Sequence, residues 1–511
     1  MKALPKLGMI ALVASMSMAI TACDDGNDGA PGPAGPEGPA GPGGDSGSAV
    51  SVAADRVTTS ANDLRGLTYA TVAPNAGKIY ASGFVGTSDA TRQTVIARFN
   101  ADGSPDTSFG IDGFVEIETT AAVGSGDEQS LGVTELQSGD VIAAVNAVDD
   151  DGGRSVYLLR VTADGTQAAG WGDADGKVEV PFGWANADNA DFPGAPAALP
   201  TDTAWDVQTD KSVGSDRVVV FGLGSAGPND ASRTDNDRFV TRMNITATGA
   251  EVDPTFNGGE SSTFNATGTL GDNARRGTVE ADGSIMSAGY TNLGEGLGNH
   301  VILIKLDASG APDSSFGGFS SASDVVPAQP GIAVFNPLLV DGGQAEAYAA
   351  ARQSTGAYVT TGYGNATGAD TPSTLGFETS LAQDVVSFRA DGGTATDVDT
   401  GWGSNGSLAI QSEGKGFPSN EDRGRHLVTL PDDRTVHIGR FGGVPAAFVV
   451  TAGGAPDASV FGDGVIELPS DTIDSQFFGV ALSADGKRVA MTTNSNANGA
   501  RLVVLKVAAS D

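Results

Sequence analysis

The chain has 511 residues, and 73 Gly and 24 Pro break it into short segments, which excludes a protein built on long helices and favours β-structure on turns. Its net charge of −34 repels nucleic acid and anionic lipid head groups and suits solubility, cation association or a salty environment. One cysteine, Cys23, excludes an internal disulfide, a multi-cysteine metal site and a second thiol for redox cycling.

In chain order, Lys2 and Lys6 precede an apolar segment, Leu7–Ile20, that has the length of a signal peptide and is too short to span a bilayer comfortably. It ends in Ile20-Thr21-Ala22-Cys23. This resembles the bacterial lipoprotein signal, which implies that 1–22 is removed and that Cys23 is acylated. Each buried CH₂ of the acyl chains then adds about 0.8 kcal/mol of anchoring to the lipid bilayer. Asp24 resembles an inner-membrane retention signal of enteric bacteria, a rule that does not carry to all bacteria; the expected location is the bacterial envelope, at the outer membrane or cell surface. The spacer 23–48 contains Gly26–Gly44, with Gly at every third position and Pro between. It is similar to collagen, and reads as a stiff, disordered, extended spacer or, in a sharper reading, as a trimerising stalk.

From 49 to 511 a unit repeats. A turn plus strand recurs at Gly77, Gly139, Asp216, Gly283, Gly356, Asp433 and Gly486. A third strand follows in each unit, as in Val95–Phe99 and Val301–Leu306, then a turn and an aromatic step: Phe109-Gly110, Trp171-Gly172, Phe256-Asn257, Phe316-Gly317, Trp402-Gly403 and Phe461-Gly462. A fourth strand closes the unit, but the last unit stops after its third, and Ala49–Thr59 is an orphan strand before the first. A ring in which the N-terminal strand completes the C-terminal unit removes both exposed sheet edges. The expected fold is therefore an all-β, seven-bladed β-propeller, with six or eight blades if one degenerate unit is misread. The segments Phe99–Gly113 and Leu306–Gly317 resemble the delta-60 repeat of bacterial secreted proteins, which implies a propeller-like fold and no shared enzymatic activity.

The aromatics are expected to pack between blades, with the following Gly supplying a backbone angle closed to other residues. Asn100–Asp106 has a faint likeness to a calcium loop, but it lacks the closing bidentate Glu and reads as turn chemistry, so no metal or other cofactor is assigned. The bases of the third strand, Arg98, Arg160, Arg242, Lys305, Arg389 and Lys506, read as solvated or acid-paired. Acids precede each innermost strand: Asp127, Asp202, Asp272, Glu421 and Asp474, with Asp63 and Glu346 as looser equivalents. They either cap their own turns or form a ring at a channel mouth, suited to a cation or polyamine.

Long insertions fall between second and third strands (Leu223–Asp237, Tyr290–Asn299, Tyr363–Gln383) and between blades (Gly183–Thr201, Val326–Ala345, Gln411–Asp422). Propeller topology puts both kinds of connection on one face, where binding surfaces usually sit. The tether enters from the opposite, plain face. The three histidines, His300, His426 and His437, have no metal-site spacing; His437 reads as structural and His426 as the best candidate for channel chemistry. No catalytic residues are assigned. The expected function is non-catalytic binding of a protein or glycan by an envelope-anchored propeller, with a channel-sited polysaccharide hydrolase or lyase and a structural surface component as alternatives.

Overall fold

The computed structural model describes residues 50–507 apart from 58–60, 87–90, 120–127, 149–152, 169, 174–175, 182–201, 226–235, 267–269, 295, 337–342, 367–383, 391–398, 404–405, 411–421, 461–463, 468–475 and 495–498. The signal segment, Cys23 and the spacer lie outside these residues. The described chain forms seven sheets, each built up and down from innermost to outermost strand. Blade 1 is β2 (Asp63–Tyr69), β3 (Ile79–Val85), β4 (Gln93–Phe99) and β5 (Phe114–Ile117). Blade 2 is β6 (Gln129–Glu135), β7 (Val141–Val148), β8 (Arg154–Val161) and β9 (Lys177–Glu179). The innermost strands of blades 3 to 7 are β10 (Thr203–Thr209), β15 (Asp272–Val279), β20 (Gly343–Arg352), β24 (Arg423–Thr429) and β28 (Phe477–Leu482).

The ring closes as the sequence predicts. β1 (Val50–Val57) pairs antiparallel with β30 (Arg501–Val507), so the N-terminal strand is the fourth strand of blade 7. Val50 packs into the core that blades 6 and 7 share, and Arg501 forms an ion pair with Asp55 across the seam.

Two details differ from the sequence reading. The segment Val326–Ala345 is not one inter-blade loop, because β19 (Ile332–Phe335) lies inside it as the fourth strand of blade 4. The short β18 (Phe319–Ser320) pairs parallel to β19, so this blade is elaborated on the otherwise plain face. In blade 6 the position that Phe109 holds in blade 1 belongs to Val460, not Phe461. The Val460 amide donates to Asp457 O and its carbonyl accepts from Gly464, matching Phe109 with Asp106 and Gly113. Phe461 is outside the described residues.

The joints between blades account for most of the repeated residues. Phe109 lies in the core of blade 2 beside Val141 and Ala143, Trp171 in that of blade 3, and Phe256 in that of blade 4. The amide after four of the aromatics donates to a turn carbonyl of the next blade: Gly110 to Asp164, Gly172 to Thr248, Asn257 to Ser309 and Gly403 to Gly453. The receiving turn needs a glycine for two reasons. Gly165 has φ +89°, and a Cβ there would lie 2.2 Å from Gly110 N. We therefore expect Gly165→Ala to cost about 1–3 kcal/mol in chemical denaturation; a variant as stable as the parent would show that this joint yields freely.

Candidate functional site

The third-strand bases are structural staples. Arg98 Nε pairs with Asp106 in the following turn at 2.6 Å, and its Nη1 donates to Ala163 O of blade 2. Arg242 repeats the arrangement with Asp253 (2.8 Å) and Ala308 O (2.6 Å). Arg389 does so with Asp399 and Ala452 O, and Lys305 pairs with Asp313. Departures from the repeat are compensated locally. In blade 2 the turn residue is Ala168, and Arg160 pairs with Asp140 of the adjacent hairpin instead, at 2.7 Å. In blade 6 the third-strand position is Val449, and Arg434 reaches Asp457 at 3.0 Å. Lys506, in a blade whose fourth strand comes from the N-terminus, is exposed. The calcium-like segment is a turn: Asp102 accepts from Ser104 N and Oγ, and Asp106 from Ser108 N and Oγ.

The described acids among those flagged before the innermost strands are all buried. Asp63 (0% exposed) holds Arg65 in an ion pair of 2.7 Å. Asp272 (1%) accepts from Ala266 N at 2.8 Å. Glu346 (6%) accepts from Asn299 Nδ2 at 2.7 Å and the Tyr363 hydroxyl at 2.8 Å. Asp202 is buried as well. Asp127, Glu421 and Asp474 lie outside the described residues. Two of their neighbours, Glu128 and Asp422, are buried acids that accept backbone amides: Glu128 from Thr119 (2.7 Å) and Asp422 from Gly442 (2.7 Å).

A second feature of the innermost strands was not anticipated. Each has a register shift against its partner that skips one residue: Arg65, Leu131, Trp205, Arg275, Tyr348, Arg425 and Phe478. A bulge re-aims the side chain it displaces. Here the displaced side chains meet around the axis. The Arg275 guanidinium lies 4.1 Å from the Trp205 ring and 4.8 Å from Tyr348. That of Arg425 lies 4.5 Å from Tyr348 and 5.2 Å from Phe478, and that of Arg65 lies 4.5 Å from Phe478. Cations and aromatics thus alternate through six consecutive blades, each contact being worth about 0.5–2 kcal/mol. Asp63 and Glu346 belong to this assembly, since they face Arg65 (2.7 Å) and Arg275 (4.0 Å). The sequence signal was a bulky residue followed by Gly at the start of the first strand, as in Arg65-Gly66, Leu131-Gly132 and Phe478-Gly479.

One layer deeper, the axis is closed. Arg276 of blade 4 reaches across it, and its Nη2 donates to Arg65 O (3.2 Å) of blade 1 and Phe478 O (3.3 Å) of blade 7. Its Nη1 lies 3.7 Å from Asp206 Oδ1. Burial pulls the Arg276 guanidinium below its ordinary pKa, against the attraction of Asp206, and burial pushes the Asp206 carboxyl up. His426 is in this layer, and burial together with Arg276 holds its imidazole well below its ordinary pKa. Beyond the plug, on the face of the Asp-Gly turns, the axis opens into a cavity of 630 Å³.

The other histidines are internal. His437 is 1% exposed, bonds Thr435 Oγ1 at 2.8 Å, and is held by burial at a pKa of about 3. Burial also lowers His300. An unfolded histidine titrates near about 6.5, so the unfolded chain binds more protons in the window below it. For His437 the stabilisation is full above about pH 6.5 and drains away as the pH falls toward about 3, by about 1.4 kcal/mol per pH unit. Urea midpoints at pH 7, 5.5 and 4 should fall steadily, and His437→Gln should flatten the slope; an unchanged slope would show that His437 is not one of the groups responsible.

One comparison, with family models, agrees with the architecture. Residues 77–109, in blade 1, match the family model described as a domain of unknown function (DUF5122) beta-propeller. A search of curated proteins gave no match. Among solved structures, a protein of unknown function from Dyadobacter fermentans DSM 18053 is 14% identical, with 90% of this chain and 99% of that chain covered and a TM-score of 0.40. The C-terminal WD40 domain of Sif2 is 9% identical, covering 88% and 97%, with a TM-score of 0.36. A gluconolactonase from Xanthomonas campestris is 10% identical, covering 90% and 89%, with a TM-score of 0.31. The chain is a seven-bladed β-propeller whose first blade carries a repeat similar to that of the DUF5122 propellers.

Proposed function

We propose that the protein is a non-catalytic binding module of the delta-60 type, anchored to the bacterial envelope through acylated Cys23, which engages a protein or glycan through its insertion face. The observation that carries this reading is the distribution of long connections. Segments 182–201, 226–235, 367–383 and 411–421 each join strand ends at the end of the ring where innermost strands begin. Apart from the long turn-face connection of blade 4, between Leu306 and Ile332, the long loops gather on one face of a rigid ring, and recognition usually sits there. The bulge ring of Arg65, Arg275 and Arg425 with its aromatics lies at the same end of the innermost strands.

β1 starts at the opposite, turn face, because it runs antiparallel to β30. In the proposed reading, a tether joined to Val50 would turn the insertion face away from the membrane.

The reading is tested by replacing 367–383 with a short Gly-Ser turn and measuring binding to glycan and envelope-protein arrays. Loss of a saturable signal seen with the parent, with the fold intact, supports it. Turnover of a polysaccharide by the parent chain would overturn it. Radiolabelled palmitate incorporated by the parent and not by Cys23→Ser would establish the anchor.

A further inference from the structure

We infer that the axial cavity on the turn face is a second binding site, for an uncharged polyhydroxylated ligand the size of one or two sugar rings. The site uses none of the insertion loops and does not depend on the binding role assigned to them.

All seven innermost strands contribute to the wall, and the floor is the Asp206 and His426 layer beneath which Arg276 crosses the axis. A volume of 630 Å³ is that of a small-molecule pocket, which typically holds about 300–1,000 Å³. The blocked axis makes it a cup open at one end, so a ligand enters from the turn face.

Charge selects the ligand class. Asp206 on the floor faces Arg276, Glu280 at the rim is paired with Arg352 at 2.7 Å, and Lys211 at the rim donates to Thr71 Oγ1 at 3.3 Å. A carboxylate or ammonium on the ligand would lose water without meeting an unpaired counter-charge at the floor. What the wall offers instead is neutral hydrogen-bonding chemistry. Thr68 and Thr429 line it, together with Thr134 and Thr278, whose hydroxyls also bond Thr209 Oγ1 and Ala350 O, and Gln208, whose amide also holds Gly277 O and Val279 N. Thr429 Oγ1 and His426 Nδ1 are buried atoms without a hydrogen-bond partner. His426 sits on the floor as a half-buried residue. Leu67, Val207 and Val428 alternate with these polar groups. Hydroxyls interleaved with apolar side chains match a sugar, whose hydroxyl rim and CH faces alternate in the same way.

The test is calorimetric titration of the full chain with glucose, galactose, mannose, N-acetylglucosamine, maltose and cellobiose, and with glucuronate and glucosamine as charged counterparts. Saturable binding of at least one neutral sugar is expected, with the charged analogues about tenfold weaker or more. His426→Phe should weaken it by about tenfold, and either Thr278→Trp or Ala351→Trp, which fill the cup from different blades, should abolish it. Two filling variants guard against one failing to fold. Replacing 367–383 should leave the sugar affinity unchanged. Absence of saturable binding at millimolar sugar, tighter binding of the charged analogues, binding that survives both folded filling variants, or binding lost with 367–383 would each overturn the inference.

Discussion

Replacing Asp253 with Ala should destabilise the propeller by about 3–5 kcal/mol, the cost of breaking a buried ion pair from one side. Asp253 is 2% exposed and accepts four hydrogen bonds from three residues. Its Oδ1 accepts from Thr255 N and Oγ1 at 2.9 and 2.7 Å, and its Oδ2 from Arg242 Nε and Arg217 Nη1 at 2.8 and 3.1 Å. Burial pushes its carboxyl up, but the Thr255 hydrogen bonds and the two guanidiniums outweigh this and hold it below the usual carboxylate range. Removing it leaves Arg242, itself 2% exposed, without its ion-pair partner at hydrogen-bond distance. Arg217 keeps Asp210 at 2.6 Å.

The opposite substitution should be milder. In Arg242→Met the carboxylate keeps Arg217, and the methionine stem still covers Phe256, over which the guanidinium lies at 4.7 Å. The double variant should lose less than the sum of the two, since each single change removes the same contact. Denaturant midpoints of the three variants check this ordering. Equal losses for both single variants, or strict additivity, would show that the staple does not act as a pair. The same logic predicts a second acid-sensitive phase below about pH 4, where the native-state depressed carboxyls Asp106, Asp253, Asp313 and Asp457 must take up protons to follow the unfolded chain.

These staples also explain what could be read from the chain. Period and punctuation were legible because every blade solves the same local problem. Asp-Gly turns, the aromatic step and the third-strand base are all needed where one blade's turn meets the next, so they recur. Trp171, Phe256 and Trp402 could be placed even in degenerate copies. The aromatic in blade 6 was misplaced by one residue because Val460 fills the joint there, and burial asks only for an apolar side chain. The axis was far less legible. Its residues come one per blade and differ in type, because what joins them is contact around a ring and not a shared local turn. Asp63 and Glu346 stood out as acids, but their partners Arg65 and Arg275 are placed by bulges that a two-residue period cannot show. Arg276 bonds carbonyls more than 200 positions away, and no spacing rule reaches that far.

Deleting residues 50–57 should have the largest effect of all, because it removes a whole strand from a closed ring. β30 would lose seven paired positions, from Val50 opposite Val507 to Val57 opposite Arg501. The edge thus exposed, Arg501–Val507, has the apolar residues Leu502, Val503, Val504 and Leu505, an unprotected template for pairing with another chain. Val50 would leave the core that holds Val449, Val489 and Leu505, and Asp55 would no longer meet Arg501. The expected result is soluble aggregate or precipitate in place of a monodisperse species on size-exclusion chromatography, with rapid proteolysis in 488–507. The argument is about topology and not about the lost residues as such, so it has a rescue. Moving Ala49–Thr59 to the C-terminus behind a short Gly-rich linker after Asp511 lets the same strand return antiparallel to β30 as a hairpin. That permuted chain should recover a monodisperse elution profile and protease resistance. If the truncated chain is already monodisperse and resistant, or if the permuted chain is no better than the truncated one, closure by β1 is not what holds the seventh blade.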